Sequence, residues 1–595
     1  MNGNAKNATD VTGGTATPGI SATAPKDSAT KVASDSANVT NATAPRANAK
    51  NSTDGSTSVT GTSTLGASKP KRPFYVTTPI YYVNAAPHLG TAYTTLAADT
   101  LARYERMNNC DVAFVTGLDE HGQKVAETAE EHGKTPQEWC DSMVPAFTSA
   151  WDDLGIEYTK FVRTSSEAQT RTVQMFWNDL YERGYLYKSA YEGWYCVHEE
   201  TYYAESDLEK NDEGEYVCPD CRRPVRHMAS GEENWFFKLS EFQEPLLKFY
   251  DEHPEFIRPE TRRNEVVSFV ERGLQDLSIS RSTFDWGVPL PFDEGHVCYV
   301  WADALLAYLT GIGYGADNNF NHFWPAQYHF VGKDITRFHC VIWPAMLMAA
   351  DLPIPRTVFG HGFLLTKGEK MSKSRGNGVM PADLVRVFGL DAYRYYFMSD
   401  VQFGNDGDIS LERMVQVYNA DLANTWGNLV SRVFNMTGKY FDGHVPDVER
   451  SADAVANPLR EIAEHLYGAY NERMEQVDFT GAAKAVMELA HAANLYVEEQ
   501  TPWNLAKSED TREQLAQVMY NLLESIRIIA LYLAPFMPNA SAEVFKRLSL
   551  GDVREVENIE FASKWGGLTA GNTVTTGEPL FPRLPKPEEI ELNLG

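Results

Sequence analysis

The chain has 595 residues, 43% of them hydrophobic, and a formal net charge of -28 at pH 7. Its size fits roughly two to four globular domains. Its charge excludes capture of nucleic acid by bulk attraction, so an RNA partner must be held by local basic and aromatic patches. The 7 cysteines form no disulfide-like framework, which points to a reducing compartment. The longest apolar stretch, 526–537, contains Arg527 and Pro535 and reads as a buried helix, so no membrane role is expected.

Residues 1–70 are almost wholly Ala, Thr, Ser, Asn, Gly and Asp and read as a disordered low-complexity tail. A single arginine, Arg46, against Asp10, Asp27, Asp35 and Asp54 counts against a transit peptide. A cytoplasmic protein is expected, with an organelle the alternative if the tail is such a peptide. Order begins at Pro73. The run 74–78 is aromatic and β-branched and predicts a buried strand, and Tyr93, Leu96, Ala97, Thr100, Leu101 and Tyr104 recur at helical spacing after it. A second strand, 111–116, runs into Gly117-Leu118-Asp119-Glu120-His121-Gly122, placing polar residues at a strand's C-terminal end, where doubly wound sheets bind ligands.

The fold class expected is α/β: a Rossmann-like doubly wound parallel sheet, split by a connective insertion with a knuckle and followed by an all-α helical bundle. The first half of the sheet domain is assigned to 71–183, the insertion to 184–290 and the second half to 291–410. Strand-like 297–300 is read as resuming the sheet. The helical domain is assigned to 411–560, with helical apolar spacing at 414–434, 458–467, 482–497 and 515–533, and a C-terminal extension to 561–595.

His88-Leu89-Gly90-Thr91 lies between the first strand and its helix, where free N–H groups and the helix dipole favour phosphate. Gly90 permits close approach of a nucleotide, and His88 can donate to a phosphate oxygen. A structural cap is the competing role for this histidine. Downstream, Lys370-Met371-Ser372-Lys373-Ser374 offers two lysines and two serines in a glycine-flanked loop. Such a loop suits a mobile clamp on a transferring phosphate; the alternative is a solvated basic loop.

Together these two motifs resemble the HIGH and KMSKS signatures of class I aminoacyl-tRNA synthetases. Thr78-Pro79-Ile80-Tyr81-Tyr82-Val83-Asn84, Asp119-Glu120-His121-Gly122, Tyr299-Val300-Trp301-Ala302-Asp303-Ala304 and Gly332-Lys333-Asp334-Ile335 resemble the methionine-specific branch. The resemblance implies a ligase that forms methionyl-adenylate and pyrophosphate from ATP, with Mg2+, and then charges the 3' end of tRNA(Met), initiator and elongator. It implies that His88, Lys370 and Lys373 stabilise phosphates, Lys373 foremost for ATP, with Thr91 and Arg281 as further phosphate contacts. Gly90, Gly332 and Asp334 then contact ribose and adenine. Asp119 would meet the methionine ammonium, and Ile80, Tyr82, Val300, Trp301, Ala304, Tyr308, Ile335, Phe338 and His339 would form an apolar sleeve for its thioether. Without the resemblance each of these aromatics reads as core.

In the helical domain, Asn428 and Arg432 lie four apart on one helix face and Trp503 follows Pro502. The resemblance implies that they read the anticodon, Trp503 by stacking and the other two at base edges. A buried tryptophan and a surface polar pair is the plainer alternative.

Two positions depart from the family pattern. Thr91 stands where the first signature ends in a second histidine, and a neutral hydroxyl makes weaker bonds to phosphate than a charged donor. In the insertion, Cys218 and Cys221 have the spacing of half a zinc site, but Glu199 stands where the family has a second cysteine after Cys196, with His198 beside it. Structural Zn2+ on Cys196, His198 or Glu199, Cys218 and Cys221 is one of two equal readings; loss of the metal is the other. The rival functions are a non-catalytic tRNA-binding relative and a nucleotidyltransferase sharing the phosphate motifs. No oligomerisation domain is evident, so a monomer is expected.

Overall fold

The computed structural model describes residues 71–190, 193–197, 201–203, 205, 208–211, 213–219, 221–228, 233–366, 368–370, 380–448 and 457–590. The 1–70 tail, His198, Glu199 and Lys373 therefore lie outside the described residues, as does the side chain of Lys370.

Six parallel strands form the central sheet: β1 (Arg72–Tyr82), β2 (Cys110–Asp119), β3 (Lys160–Arg163), β4 (Ile257–Arg258), β5 (Tyr328–Gly332) and β6 (Thr357–His361), in the order β4-β6-β5-β1-β2-β3. Phe74, Tyr75, Val76, Phe114, Val115, Phe330, Val331 and Val358 are buried along its central strands, as a sheet covered on both faces requires. The winding direction changes between β1 and β5, and ligands bind such sheets beyond the strand ends at that point. Helix α1 (Leu89–Met107) follows β1.

β1 and β2 are longer than the runs predicted. Pro79 sits inside β1 without ending it because the register with β2 shifts between Thr77 and Ile80. A proline that cannot donate to the ladder is accommodated at such a bulge, which also re-aims the side chains after it.

Two sequence expectations are corrected. The segment 297–300 does not resume the main sheet: Asp293–Cys298 is the middle strand of a separate antiparallel sheet, and Val300 opens the short helix Val300–Ala304. An apolar run this short is buried in either conformation, so its pattern cannot say which sheet it joins. The main sheet resumes at β5 instead. Conversely β4, inside the range read as insertion, is an edge strand of the main sheet.

The four predicted helical stretches fall within Leu411–Val417 continuing through Tyr418–Gly427 to Asn428–Phe441, then Pro458–Glu475, Phe479–Gln500 and Arg512–Leu533. Tyr418–Gly427 is wound as a π-helix, a form often found at functional sites. Arg512–Leu533 is the bundle's central helix, buried almost throughout from Leu515 onward. Its Glu524 carboxylate accepts the backbone N–H groups of Gly566, Gly567 and Leu568 at 2.9, 2.8 and 3.0 Å, which ties down the C-terminal extension. Among the described residues no helix is long and apolar enough to cross a membrane.

The sheet and the bundle are joined through a buried charge cluster. Arg394, fully buried on the helix Leu390–Ser399, donates to Asp99 of α1 at 2.6 Å and to the carbonyls of Leu154, Pro535 and Phe536 at 3.1, 3.1 and 3.2 Å.

Candidate active site

The turn after β1 presents His88 as the N-cap of α1. Its Nδ1 accepts the backbone N–H groups of Gly90 and Thr91 at 3.0 and 3.3 Å, and Thr91 Oγ1 accepts the N–H of His88 at 2.8 Å. This is a reciprocal capping box. With Nδ1 used as an acceptor, the ring proton resides on Nε2 and the imidazole is neutral. Gly90 serves the cap, because a Cβ there would lie 2.9 Å from the His88 ring. Thr91 also donates its hydroxyl proton to the His88 carbonyl at 2.8 Å, so in this conformation that proton faces the backbone rather than a phosphate. One turn on, Thr94 meets His361 Nε2 at 2.6 Å, tying α1 to the end of β6.

Beyond the ends of β1 and β2 lies a cavity lined by Pro79, Ile80, Tyr82, Asp119, Trp301, Ala304, Leu305, Tyr308, Ile335 and His339. Eight of the ten residues assigned to methionine are in this wall. Val300 is instead buried beside Trp301, and Phe338 backs the wall, stacked on Trp301 with centroids 3.9 Å apart. Pro79 and Leu305 were not anticipated; each flanks a residue that was. Asp119 is buried and is the only carboxylate in the lining. Tyr82 meets the Trp301 ring edge-on.

None of the residues lining the cavity is a lysine or arginine. His339 is buried, and burial depresses its imidazole to about 4, against a weaker opposing effect of its bond to the Ile335 carbonyl at 3.0 Å. With Nδ1 donating there, Nε2 accepts the Tyr308 hydroxyl at 2.7 Å. The result is an apolar chamber with one acidic group, suited to an amino acid with a long uncharged side chain.

After β5, Gly332 leads into a turn carrying Asp334, whose side chain is exposed; a Cβ on Gly332 would collide with that carboxylate. Neighbouring Lys333 bonds both oxygens of Asp406 at 2.7 Å. Arg281 is buried, with its guanidinium 4.4 Å from the Tyr299 ring and 2.6 Å from the Ser280 carbonyl. Lys370 lies in a two-residue strand paired with Leu364–Thr366, and the rest of the lysine loop lies outside the described residues.

A family model described as tRNA synthetases class I (M) matches residues 74–434, more than half of the chain. The chain belongs to the class I methionyl-tRNA synthetases. A second model, the anticodon binding domain of methionyl tRNA ligase, matches residues 445–592 of the synthetase. It is 47% identical to the methionine–tRNA ligase of Thermotoga maritima over 86% of its own length and 80% of the relative's. It is also 47% identical to that of Streptomyces coelicolor, over 88% and 98%. The methionyl-tRNA synthetase of Mycobacterium tuberculosis, solved with methionyl-adenylate, superposes with a TM-score of 0.82 at 40% identity, covering 86% of this chain and all of that one.

Away from the cavity, Asn428 opens its helix on the bundle surface, and Arg432, one turn on, pairs with Glu498 at 2.6 Å. Trp503 is 38% exposed, unusual for so large an aromatic. In the insertion, Cys196, Cys218 and Cys221 have their sulfurs within 4.8 Å of one another, Cys196 and Cys221 at 3.6 Å. Tetrahedral thiolates at zinc stand about 3.8 Å apart, so these three fit such an ion.

Proposed function

We propose that the synthetase activates methionine with ATP, releasing pyrophosphate, and transfers the methionyl group from the adenylate to the 3' end of tRNA(Met). The observation that carries this reading is the cavity: one buried carboxylate, Asp119, stands in an otherwise apolar and aromatic chamber. Asp119 receives the substrate ammonium, and Ile80, Tyr82, Trp301, Ala304, Tyr308, Ile335 and His339 enclose the thioether, with Val300 and Phe338 supporting them. The methionine carboxylate then attacks the α-phosphorus of ATP, and the reaction is accelerated chiefly by positioning and charge stabilisation. His88 Nε2–H, Lys370 and Lys373 stabilise the phosphates, with Arg281 and Thr91 as further phosphate contacts, and Gly90, Gly332 and Asp334 contact the ribose and adenine. Mg2+ accompanies ATP and offsets its charge.

Asn428, Arg432 and Trp503 form the anticodon contact for initiator and elongator tRNA alike. Cys196, Cys218 and Cys221 hold a structural zinc ion, completed by His198 or Glu199, that ties the knuckle together. Metal analysis of protein purified without chelator tests this, and a ratio near zero rejects it. The domain ranges follow the assignment from sequence except that β4, within 184–290, belongs to the catalytic sheet, and the enzyme acts as a cytoplasmic monomer.

Methionine-dependent exchange of labelled pyrophosphate into ATP, with leucine and isoleucine as controls, tests the activation step. Exchange with methionine alone supports both the chemistry and the pocket. Absence of exchange from folded protein overturns the reading.

A further inference from the structure

The loop that presents Asp119 is pinned on several sides. Glu120, fully buried, accepts Arg163 Nε at 2.7 Å and the Ser165 hydroxyl, while its carbonyl accepts Trp286 Nε1 at 2.5 Å. Trp286 in turn accepts the Gly122 N–H through its carbonyl at 3.3 Å. The remaining residue of the loop, His121, reaches across to the opposite wall of the cavity: its Nδ1 lies 2.6 Å from Asp303 Oδ2. Asp303 is fully buried and stands between Trp301 and Ala304, both of which line the cavity. Its other oxygen and its carbonyl each accept Gln169 Nε2 at 2.8 Å, and Gln169 accepts the Thr310 hydroxyl at 2.6 Å.

We infer that His121 and Asp303 are positioning residues that fix the separation between the Asp119 carboxylate and the Trp301 wall, and so set the affinity and selectivity for methionine. Neither lines the cavity, and each is adjacent or nearly adjacent in sequence to a residue that does. The reason is geometric. An ammonium held by Asp119 and a side chain held by Trp301 belong to one small substrate, so an error in the spacing of the two segments is an error in substrate fit. Apolar packing alone tolerates sliding of one wall over another, whereas a short buried hydrogen bond to a carboxylate held from its other side does not. Gln169 and Thr310 complete the relay from behind and leave Asp303 one favoured orientation.

This inference rests on the assignment of the cavity to methionine, and the test separates the two. In His121→Asn the amide nitrogen takes the place of Nδ1 and can still donate to Asp303. In His121→Gln the amide takes the place of Nε2, keeping the bulk but losing that donor. The full chain and both variants are assayed by methionine-dependent pyrophosphate exchange, with melting temperatures to verify folding. The expected result is a methionine KM raised about tenfold or more in His121→Gln, with the KM for ATP within about twofold, and near-parental kinetics in His121→Asn. Should His121→Gln fail to fold, Asp303→Ala serves in its place; it removes the acceptor of His121, and the same rise in the methionine KM with the KM for ATP within about twofold is then expected. Equal behaviour of His121→Gln and His121→Asn, a parallel rise in both KM values, or a parental methionine KM in Asp303→Ala overturns the inference. Parental protein without methionine-dependent exchange overturns the cavity assignment itself.

Discussion

His88 and Thr91 share one hydrogen-bonded unit, so the departure from the family signature at Thr91 has a structural meaning as well as a chemical one. Thr91→Ala removes the acceptor of the His88 N–H and is expected to cost about 1 kcal/mol of stability, the usual magnitude for a lost cap, read as a lower melting temperature. Thr91→His restores a donor that can face phosphate, and the activation rate is expected to be preserved or raised. A clear loss of rate in well-folded protein would show that the site has adapted to threonine. At His339 the expectation concerns pH. Its folded value of about 4 lies below the ordinary 6.5, so between those values the unfolded chain binds more protons and stability falls as pH falls through that window. Over the full shift this one group accounts for roughly 3 kcal/mol. The buried His329 and His361 are shifted the same way and add to the loss. Because the sleeve stays neutral, the methionine KM is expected to be flat from pH 8 to 6. A rise centred near 6.5 would mean that His339 titrates as an exposed histidine does.

Among the elements, those legible in the sequence are the ones whose pattern has only one physical solution. The helices at 482–497 and 515–533 repeat an apolar face too long to be anything else, and the runs in β1 and β2 end in the polar residues that the site uses. What was misread depends on partners distant in sequence: 297–300 is an apolar run too short to reveal its sheet, and β4 is a two-residue edge strand defined only by β6 beside it. Much the same holds for Pro79 and Leu305, which line the cavity because a bulge and a short helix turn them there, not because of their chemistry. Arg394 shows how strongly such distant contacts are coupled. It links α1, which carries His88, to the bundle, and holds Asp99 down at about 2 together with Arg103 despite complete burial. Arg394→Met leaves the Asp99 carboxylate short of one partner in the interior, a change of the kind that costs about 3 to 5 kcal/mol. Urea unfolding should show that loss, and an effect under about 1 kcal/mol would mean that Arg103 suffices.

For the whole molecule the governing fact is the net charge of -28, which repels the polyanion that the enzyme must bind. Recognition therefore has to be carried by a few local contacts, and of the three residues proposed for the anticodon Arg432 is the cation, restrained by Glu498 in the absence of RNA. That pair is exposed and worth at most about 1 kcal/mol, so exchanging it for a base edge is inexpensive. Arg432→Ala is expected to raise the tRNA KM by about ten- to a hundredfold, the scale of one lost base contact, and Trp503→Ala to act on the same scale through lost stacking. Pyrophosphate exchange needs no tRNA and should be unchanged in both. The salt dependence of tRNA binding adds a finer distinction. If Arg432 reads a base edge, its removal weakens binding while leaving the slope of log affinity against log salt intact; if it grips a phosphate, the slope falls by about one. A drop in exchange rate in Arg432→Ala would instead mean that the bundle and the catalytic sheet respond as one body, with the buried Arg394 cluster as the connection between them.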